Sequence, residues 1–205
     1  AVGDCSQASY CVSAAEVTAC GGSSYEVAGV DDEDDHEGEG EDGNPGEIYR
    51  YAESRDGHEW TYPDLDLYRF DDNGKNNICL FGDTRCTHNL SPFLDTRPGV
   101  DASERFKALA GVYWTGLYMF ASSDGRQWRQ VRAEPVIPTQ YQEGNGVYMF
   151  DSQNVSFWSE AEGCYVCYFR TLVTAHGDLR SVSRMTSRDF VHWENRRDLQ
   201  PNAPG

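Results

Sequence analysis

Apolar and polar residues alternate in short runs along much of the chain and almost nowhere recur at the spacing of an amphipathic helix. Period-two alternation, or a compact aromatic and β-branched run, predicts strands at EIYRYAE (Glu47–Glu53), FKALAGVY (Phe106–Tyr113), GLYMFA (Gly116–Ala121), CYVCYF (Cys164–Phe169) and RSVSRMT (Arg180–Thr186). HNLSPFLD (His88–Asp95) and DSQNVSFW (Asp151–Trp158) predict two more, and SYEVAGV (Ser24–Val30) is a candidate ahead of Glu47. The best helical stretch, Ala102–Leu109, is short.

Three of these strands run into one motif, S-x-D-x-x-x-W, at Ser54–Trp60, Ser122–Trp128 and Ser187–Trp193. The motif aspartates, Asp56, Asp124 and Asp189, stand 68 and 65 positions apart. A hairpin turn explains the box. The carboxylate can accept the backbone N–H groups that follow it, Gly57 and Gly125 supply positive φ, and the Trp opens the next strand with a large apolar face. Phe190 stands where the other copies have Gly, so a different turn is expected there. Packing in the sheet accounts for the three box tryptophans better than a role as sugar platforms.

Strand, strand, strand, box and Trp-strand, repeated about every 66 positions, outlines a four-stranded antiparallel blade. The expected fold is all-β and propeller-like. Propellers close with about four to eight blades, and 205 residues supply about three, so an incomplete set is expected. Residues 47–205 carry the blades. Residues 1–46 form an irregular N-terminal segment with part of a first blade and an acidic loop at 31–46. Open sheet edges make self-association an expected property.

Charge narrows the partners. There are 34 acidic against 17 basic side chains, a formal net charge of −17, and nine carboxylates fall in Asp31–Asp42, DDEDDHEGEGED. Such a balance excludes a phosphate-binding basic surface, and with it nucleic acid and an anionic membrane. The acidic run lacks the ligand register of a calcium loop and reads as a solvated insertion, with no metal site assigned. No apolar run approaches the roughly 18 residues of a membrane-spanning helix, so a soluble chain is expected. The start, Ala1-Val2-Gly3-Asp4, has neither a basic nor an apolar leader region, and an extracellular or periplasmic location stays open.

The seven cysteines fall into a trio (Cys5, Cys11, Cys20) and two pairs (Cys79 and Cys86, Cys164 and Cys167). An odd number cannot pair completely within one chain, and the pattern leaves open whether the trio holds a disulfide. Cys164 and Cys167 spell C-x-x-C on a strand, where residues three apart point to opposite faces. They are expected to be buried structural thiols, not a metal or redox pair.

Taken together, YAESRDGHEW, HNLSPFLDTRPGVDASERFKALAG, GLYMFASSDGRQW, EPVI, FDSQNVSFWSEAEGCYVCYFRT and RMTSRDFVHW resemble the five-bladed β-propeller proteins of glycoside hydrolase families 32 and 43. Bacterial proteins described as family 32 N-terminal domains are the particular likeness, and it runs from Glu47 to Gly205. The resemblance implies a carbohydrate site at the propeller axis, lined by the strands that open at His88 and Asp151. It implies carboxylate acid–base chemistry on glycosidic bonds without an organic cofactor. Asp151 is the first candidate for a catalytic carboxylate and Asp95 the second, with His88, Asn89, Gln153, Asn154 and Arg170 as sugar-binding neighbours. Asp95 also precedes Thr96-Arg97-Pro98-Gly99, where capping a turn is the more ordinary role.

The chain departs from family 32 enzymes in lacking W-M-N-D-P-N-G, R-D-P and E-C-P, so no residue stands as the general acid. Three readings therefore compete: a glycosidase, a non-catalytic carbohydrate-binding propeller, and a structural fragment needing further blades. Two carboxyl groups facing one pocket at about 5–10 Å would distinguish the first from the second.

Overall fold

The computed structural model describes residues 8–13, 48–69, 75–140, 148–151, 153–173 and 179–199. The strand candidate at 24–30 and the acidic run lie outside the described residues. Among the described residues, twelve strands form three antiparallel sheets, with one four-residue helix and one 3-10 turn. The first sheet contains β1 (Ala8–Ser13), β2 (Ile48–Ser54), β3 (Trp60–Thr61) and β4 (Ile78–Phe81). A single helical turn, α1 (Thr84–Thr87), leads to the second sheet of β5 (Ser91–Leu94), β6 (Phe106–Val112), β7 (Gly116–Ser122) and β8 (Arg129–Gln130). The third holds β9 (Val155–Ser159), β10 (Cys164–Val173), β11 (Leu179–Ser187) and β12 (Trp193–Asp198).

The second and third sheets are simple meanders, each strand hydrogen-bonded to the next. The first keeps the same plan with a broken fourth strand. On one side β2 pairs with β1; on the other it pairs with β3 near Ser54 and with β4 near Tyr49. The second sheet is broken in the same way, since Leu117 pairs with Ile137 beyond the end of β8. Tyr49 and Leu117 each stand five residues before their box serine, so Leu80 and Ile137 hold equivalent places. The insertion between Thr61 and Ile78 is thus a long detour within one strand.

Packing follows from side-chain alternation. Along β6 and β7, Ala108, Ala110 and Phe120 turn one way and join Tyr49, Tyr51, Cys79, Leu80, Leu90 and Trp128 in a first core. Leu109, Leu117 and Met119 turn the other way, into a second core with Tyr165, Cys167, Phe169, Phe190 and Met149. The second sheet is therefore buried on both faces, between the other two, which explains the near-continuous apolar run FKALAGV. Each large side chain that loses its water there contributes about 1.5–3 kcal/mol. The arrangement is all-β and propeller-like, and β5 and β9 touch across the interface between their sheets.

All three boxes make the same turn. The Asp56 carboxylate accepts N–H groups of His58 (2.8 Å) and Glu59 (2.9 Å), and the Ser54 hydroxyl accepts that of Gly57 (2.8 Å). Trp60 Nε1 then donates back to the Gly57 carbonyl (3.3 Å). Asp124 and Ser122 repeat the pattern, as do Asp189 and Ser187. The expectation of a different third turn is corrected: Phe190 takes φ 66°, close to the 76° of Gly57 and Gly125. A left-handed residue other than Gly costs roughly 1–2 kcal/mol. The Phe190 ring is fully buried against Phe93, Tyr165 and Trp193, and that burial offsets the cost.

Two further expectations change, and a third, that Cys164 and Cys167 are buried thiols, holds for Cys167 while Cys164 is only half-buried. Of Ala102–Leu109 only Ala102–Glu104 is helical, as a 3-10 turn capped by Asp101, and the rest is β6. The strand expected over His88–Asp95 is confined to Ser91–Leu94, and the one over Asp151–Trp158 begins at Val155. Cys79 is disulfide-bonded, whereas Cys86, Cys164 and Cys167 are free thiols. Cys167 is buried within β10, and burial pushes its thiol pKa well up. Among the described residues, no helix is long and apolar enough to cross a membrane.

Candidate functional site

Among the described residues, the first strand of the third sheet is interrupted. Tyr148, Met149 and Phe150 pair with β10 around Thr171, and β9 resumes the pairing at Val155 opposite Tyr168. The chain thus takes six steps, from Met149 to Val155, to cover three steps of β10. The crossing takes three residues more than its partner, a bulge, and within it two residues have positive φ, Phe150 at 66° and Gln153 at 65°. For a bulky residue such a φ is an outlier, and strain of this kind is tolerated only where the surroundings fix it. Here the Phe150 ring is anchored in the second core against Phe169, at 5.1 Å. Asn154, fully buried, ties the bulge from inside by donating from Nδ2 to the Asp151 carbonyl (3.0 Å).

The bulge presents Asp151, whose carboxylate forms an ion pair with the Arg170 guanidinium of β10. The two side chains are 24% and 25% exposed, so the pair is shielded yet reachable from solvent. In the pair and the bulge, Arg170 Nε and Asn154 Oδ1 are buried without a hydrogen-bond partner; Ser156 Oγ, opposite Cys167 on the other face of the sheet, and Arg97 Nε share that state elsewhere. Buried polar atoms are usually satisfied, so these two polar atoms mark the bulge and its Arg170 partner.

Asp95 sits elsewhere. Its side chain is 0% exposed, and its carboxylate accepts from Lys107 Nζ (2.8 Å), Tyr165 OH (2.6 Å) and the Arg97 N–H (2.9 Å). Lys107, itself 1% exposed, also donates to the Glu104 carbonyl (2.9 Å) and lies 3.7 Å from its carboxylate. Burial, and then the neighbouring Asp95 charge, raise the Tyr165 pKa well above its ordinary value. The network bridges the second and third sheets, and its Arg97 contact is the turn cap anticipated for Asp95.

The two candidate carboxylates are therefore not brought together. Tyr165, which holds Asp95, and Arg170, which holds Asp151, are five residues apart on β10, about 16 Å of extended chain. Odd spacing also places them on opposite faces of the sheet. Tyr165 lies opposite the box serine, Ser187, whereas Arg170 lies toward the far end of the strand.

The bulge does bring Asp151 to Asn154 and Arg170, while Gln153 stands exposed on it. His88 and Asn89 lie at the same end of the neighbouring sheet, in the turn between α1 and β5. Asn89 has φ 57° and ends the helical turn, a conformation Asn tolerates well, and the His88 carbonyl accepts from Gly111 (2.7 Å). His58 and His192 are exposed in their box turns, as expected. Lys107 escaped notice in the sequence although it is the one charge in FKALAGV, and a buried Lys requires an acidic partner. Among the described residues, no group of three His, Cys, Asp or Glu side chains could hold a metal.

No protein-family model matches the chain, and no curated protein matches it, so the likeness to families 32 and 43 rests on the motifs themselves. Among solved structures the chain is similar to β-1,2-mannobiose phosphorylase from Listeria innocua in complex with β-1,2-mannobiose. The match has 17% identity and a TM-score of 0.39, and covers 78% of this chain. The chain spans 38% of the length of that enzyme. At that identity and score, no residue role is carried across.

Proposed function

We propose that the protein is a carbohydrate-binding, propeller-like chain that recognises sugar hydroxyls with the Asp151–Arg170 pair on the 150–154 bulge. The carrying observation is that this pair is half-shielded and charged, on a kinked strand beside buried polar atoms that lack partners. A carboxylate next to a planar guanidinium supplies acceptors and donors side by side, which suits vicinal hydroxyls. Gln153 and Asn154 from the same bulge, and His88 and Asn89 from the neighbouring sheet, complete the proposed polar surround.

Binding is favoured over hydrolysis because glycosidases use two carboxyl groups about 5–10 Å apart. The second sequence candidate, Asp95, is enclosed by its own donors at the other end of the sheet. Glycosidase action remains the competing reading and requires a second carboxylate beside Asp151. The deciding experiment is a glycan screen with the intact chain, followed by Asp151→Asn. Loss of binding in a variant that melts like the parent supports the proposal. Undiminished binding refutes it, and release of reducing sugar that Asp151→Asn abolishes would establish hydrolysis instead.

A further inference from the structure

Most of the large buried aromatic residues fill the two cores. Tyr49, Tyr51, Phe120 and Trp128 fill the first core, Tyr165, Phe150, Phe169 and Phe190 fill the second, and Trp158 and Trp193 pack against the second. Tyr113, Trp114 and Tyr148 belong to neither core. Their rings adjoin, with Tyr113 and Trp114 ring centres 4.5 Å apart at 85° and those of Tyr113 and Tyr148 5.5 Å apart at 48°. Tyr113 and Trp114 are half-buried, and Tyr148 is 37% exposed.

The cluster is rigidly mounted. Tyr113 and Trp114 occupy the turn between β6 and β7. The Thr115 hydroxyl fastens that turn to the Arg85 carbonyl (2.7 Å), and the Thr139 hydroxyl donates to the Tyr113 carbonyl. Gly116, at φ 97°, lets the backbone of 137–139 approach so closely that a Cβ would stand 2.6 Å from the Ile137 carbonyl oxygen. This turn lies at the end of the second sheet opposite its box, the same end as the bulge. Tyr148 precedes Asp151 by three residues on one strand, about 10 Å.

We propose that Trp114, Tyr113 and Tyr148 form a second sugar position beside the Asp151–Arg170 pair, so that the protein takes a neutral oligosaccharide rather than a single sugar. The inference rests on the carbohydrate reading above. A sugar ring has a polar rim and apolar C–H faces. The ion pair suits the rim, and a fixed, partly exposed π-face suits the C–H face at little entropic cost. A chain of net charge −17 disfavours an acidic glycan.

The test is calorimetry on the intact chain. The probes are glucose, mannose, fructose, xylose and arabinose, each as the monosaccharide and as its di-, tri- and tetrasaccharide. Affinity is expected to rise from the monosaccharide to the di- or trisaccharide of the sugar that binds. Trp114→Ala is expected to lower oligosaccharide affinity about tenfold, leave the monosaccharide unchanged, and be largely rescued by Trp114→Phe. Asp151→Asn should weaken both. Tyr148→Ala, at a more exposed position, provides a second test with the same expectation should Trp114→Ala misfold. Oligosaccharide affinity unchanged in these variants, or equal affinity for all lengths, overturns the second position and leaves the first standing. Failure of every probe to bind the parent chain overturns both.

Discussion

The buried Asp95–Lys107 pair gives the sharpest separation between a structural and a chemical role. Asp95→Asn removes one charge and preserves the side chain's shape, while its single amide oxygen can replace only one of the two carboxylate oxygens, Oδ1 that accepts from the Arg97 N–H or Oδ2 that accepts from Tyr165. The substitution leaves the Lys107 ammonium inside the protein, 1% exposed, with the Glu104 carbonyl at 2.9 Å and the Glu104 carboxylate at 3.7 Å as its remaining partners. Removing one member of a buried pair costs about 3–5 kcal/mol. For a chain of this length each kcal/mol lowers the melting temperature by about 2–4 °C, so a fall of about 6–20 °C is expected. The double variant, Asp95→Asn with Lys107→Met, removes both charges of the pair and keeps one oxygen that can accept from Tyr165. It should recover to within about 1–2 kcal/mol of the parent. Denaturant midpoints and calorimetric melts of the four proteins complete the cycle, with glycan binding measured per mole of folded chain. A single-variant cost below about 1 kcal/mol, or a double variant no better than the single, would refute the structural assignment. Loss of binding at unchanged stability would return Asp95 to the site.

Acid should act through the boxes. The N–H groups of Glu59 and His58 hold the Asp56 carboxyl at about 2 against an ordinary 3.8. At Asp124 and Asp189 burial opposes ionisation, but the backbone donors of each turn outweigh it and keep both carboxyls low. A depressed carboxyl contributes stability that is present above its unfolded value and lost as pH falls through its folded value. Melting temperature is therefore expected to hold above about pH 4 and fall toward pH 2, with a shallower fall in Asp124→Asn, and a parent curve flat to pH 2 would contradict this. A separate outcome concerns the outer face of the third sheet, where Phe157 (38% exposed), Val155 and Val182 stand uncovered. By register Phe157 occupies the place that Phe93 holds in the second sheet, and Phe93 is packed against Tyr165 and Phe190 of the next sheet. Sedimentation should show concentration-dependent association that Phe157→Ser weakens, and a parent chain that stays monomeric throughout would remove that face as an interface.

What the sequence revealed follows from how local each cause is. The boxes were legible because every bond in them lies within seven residues: Ser, Asp and Trp act on the backbone between them, and the spelling is the geometry. The strand around Phe106–Val112 was legible because burial on both faces leaves a dense apolar run, and the one around Cys164–Val173 because its run is aromatic and β-branched. Phe190 was misjudged for the opposite reason. Its turn disfavours a side chain locally, but Phe93, Tyr165 and Trp193, remote in sequence, supply the compensation. The same remoteness hid the partners of Asp95, one of which, Tyr165, lies 70 residues away on another sheet. Asp151 was expected to open a strand and instead lies in the bulge before Val155, which the sequence did not announce because Phe150 and Gln153 are not residues whose positive φ it signals. A repeat therefore tells which positions correspond, while the neighbours decide what each position does. Leu117 and Val182 correspond within their sheets, yet one is sealed in the second core and the other faces solvent, because only the second sheet has a neighbour on that side.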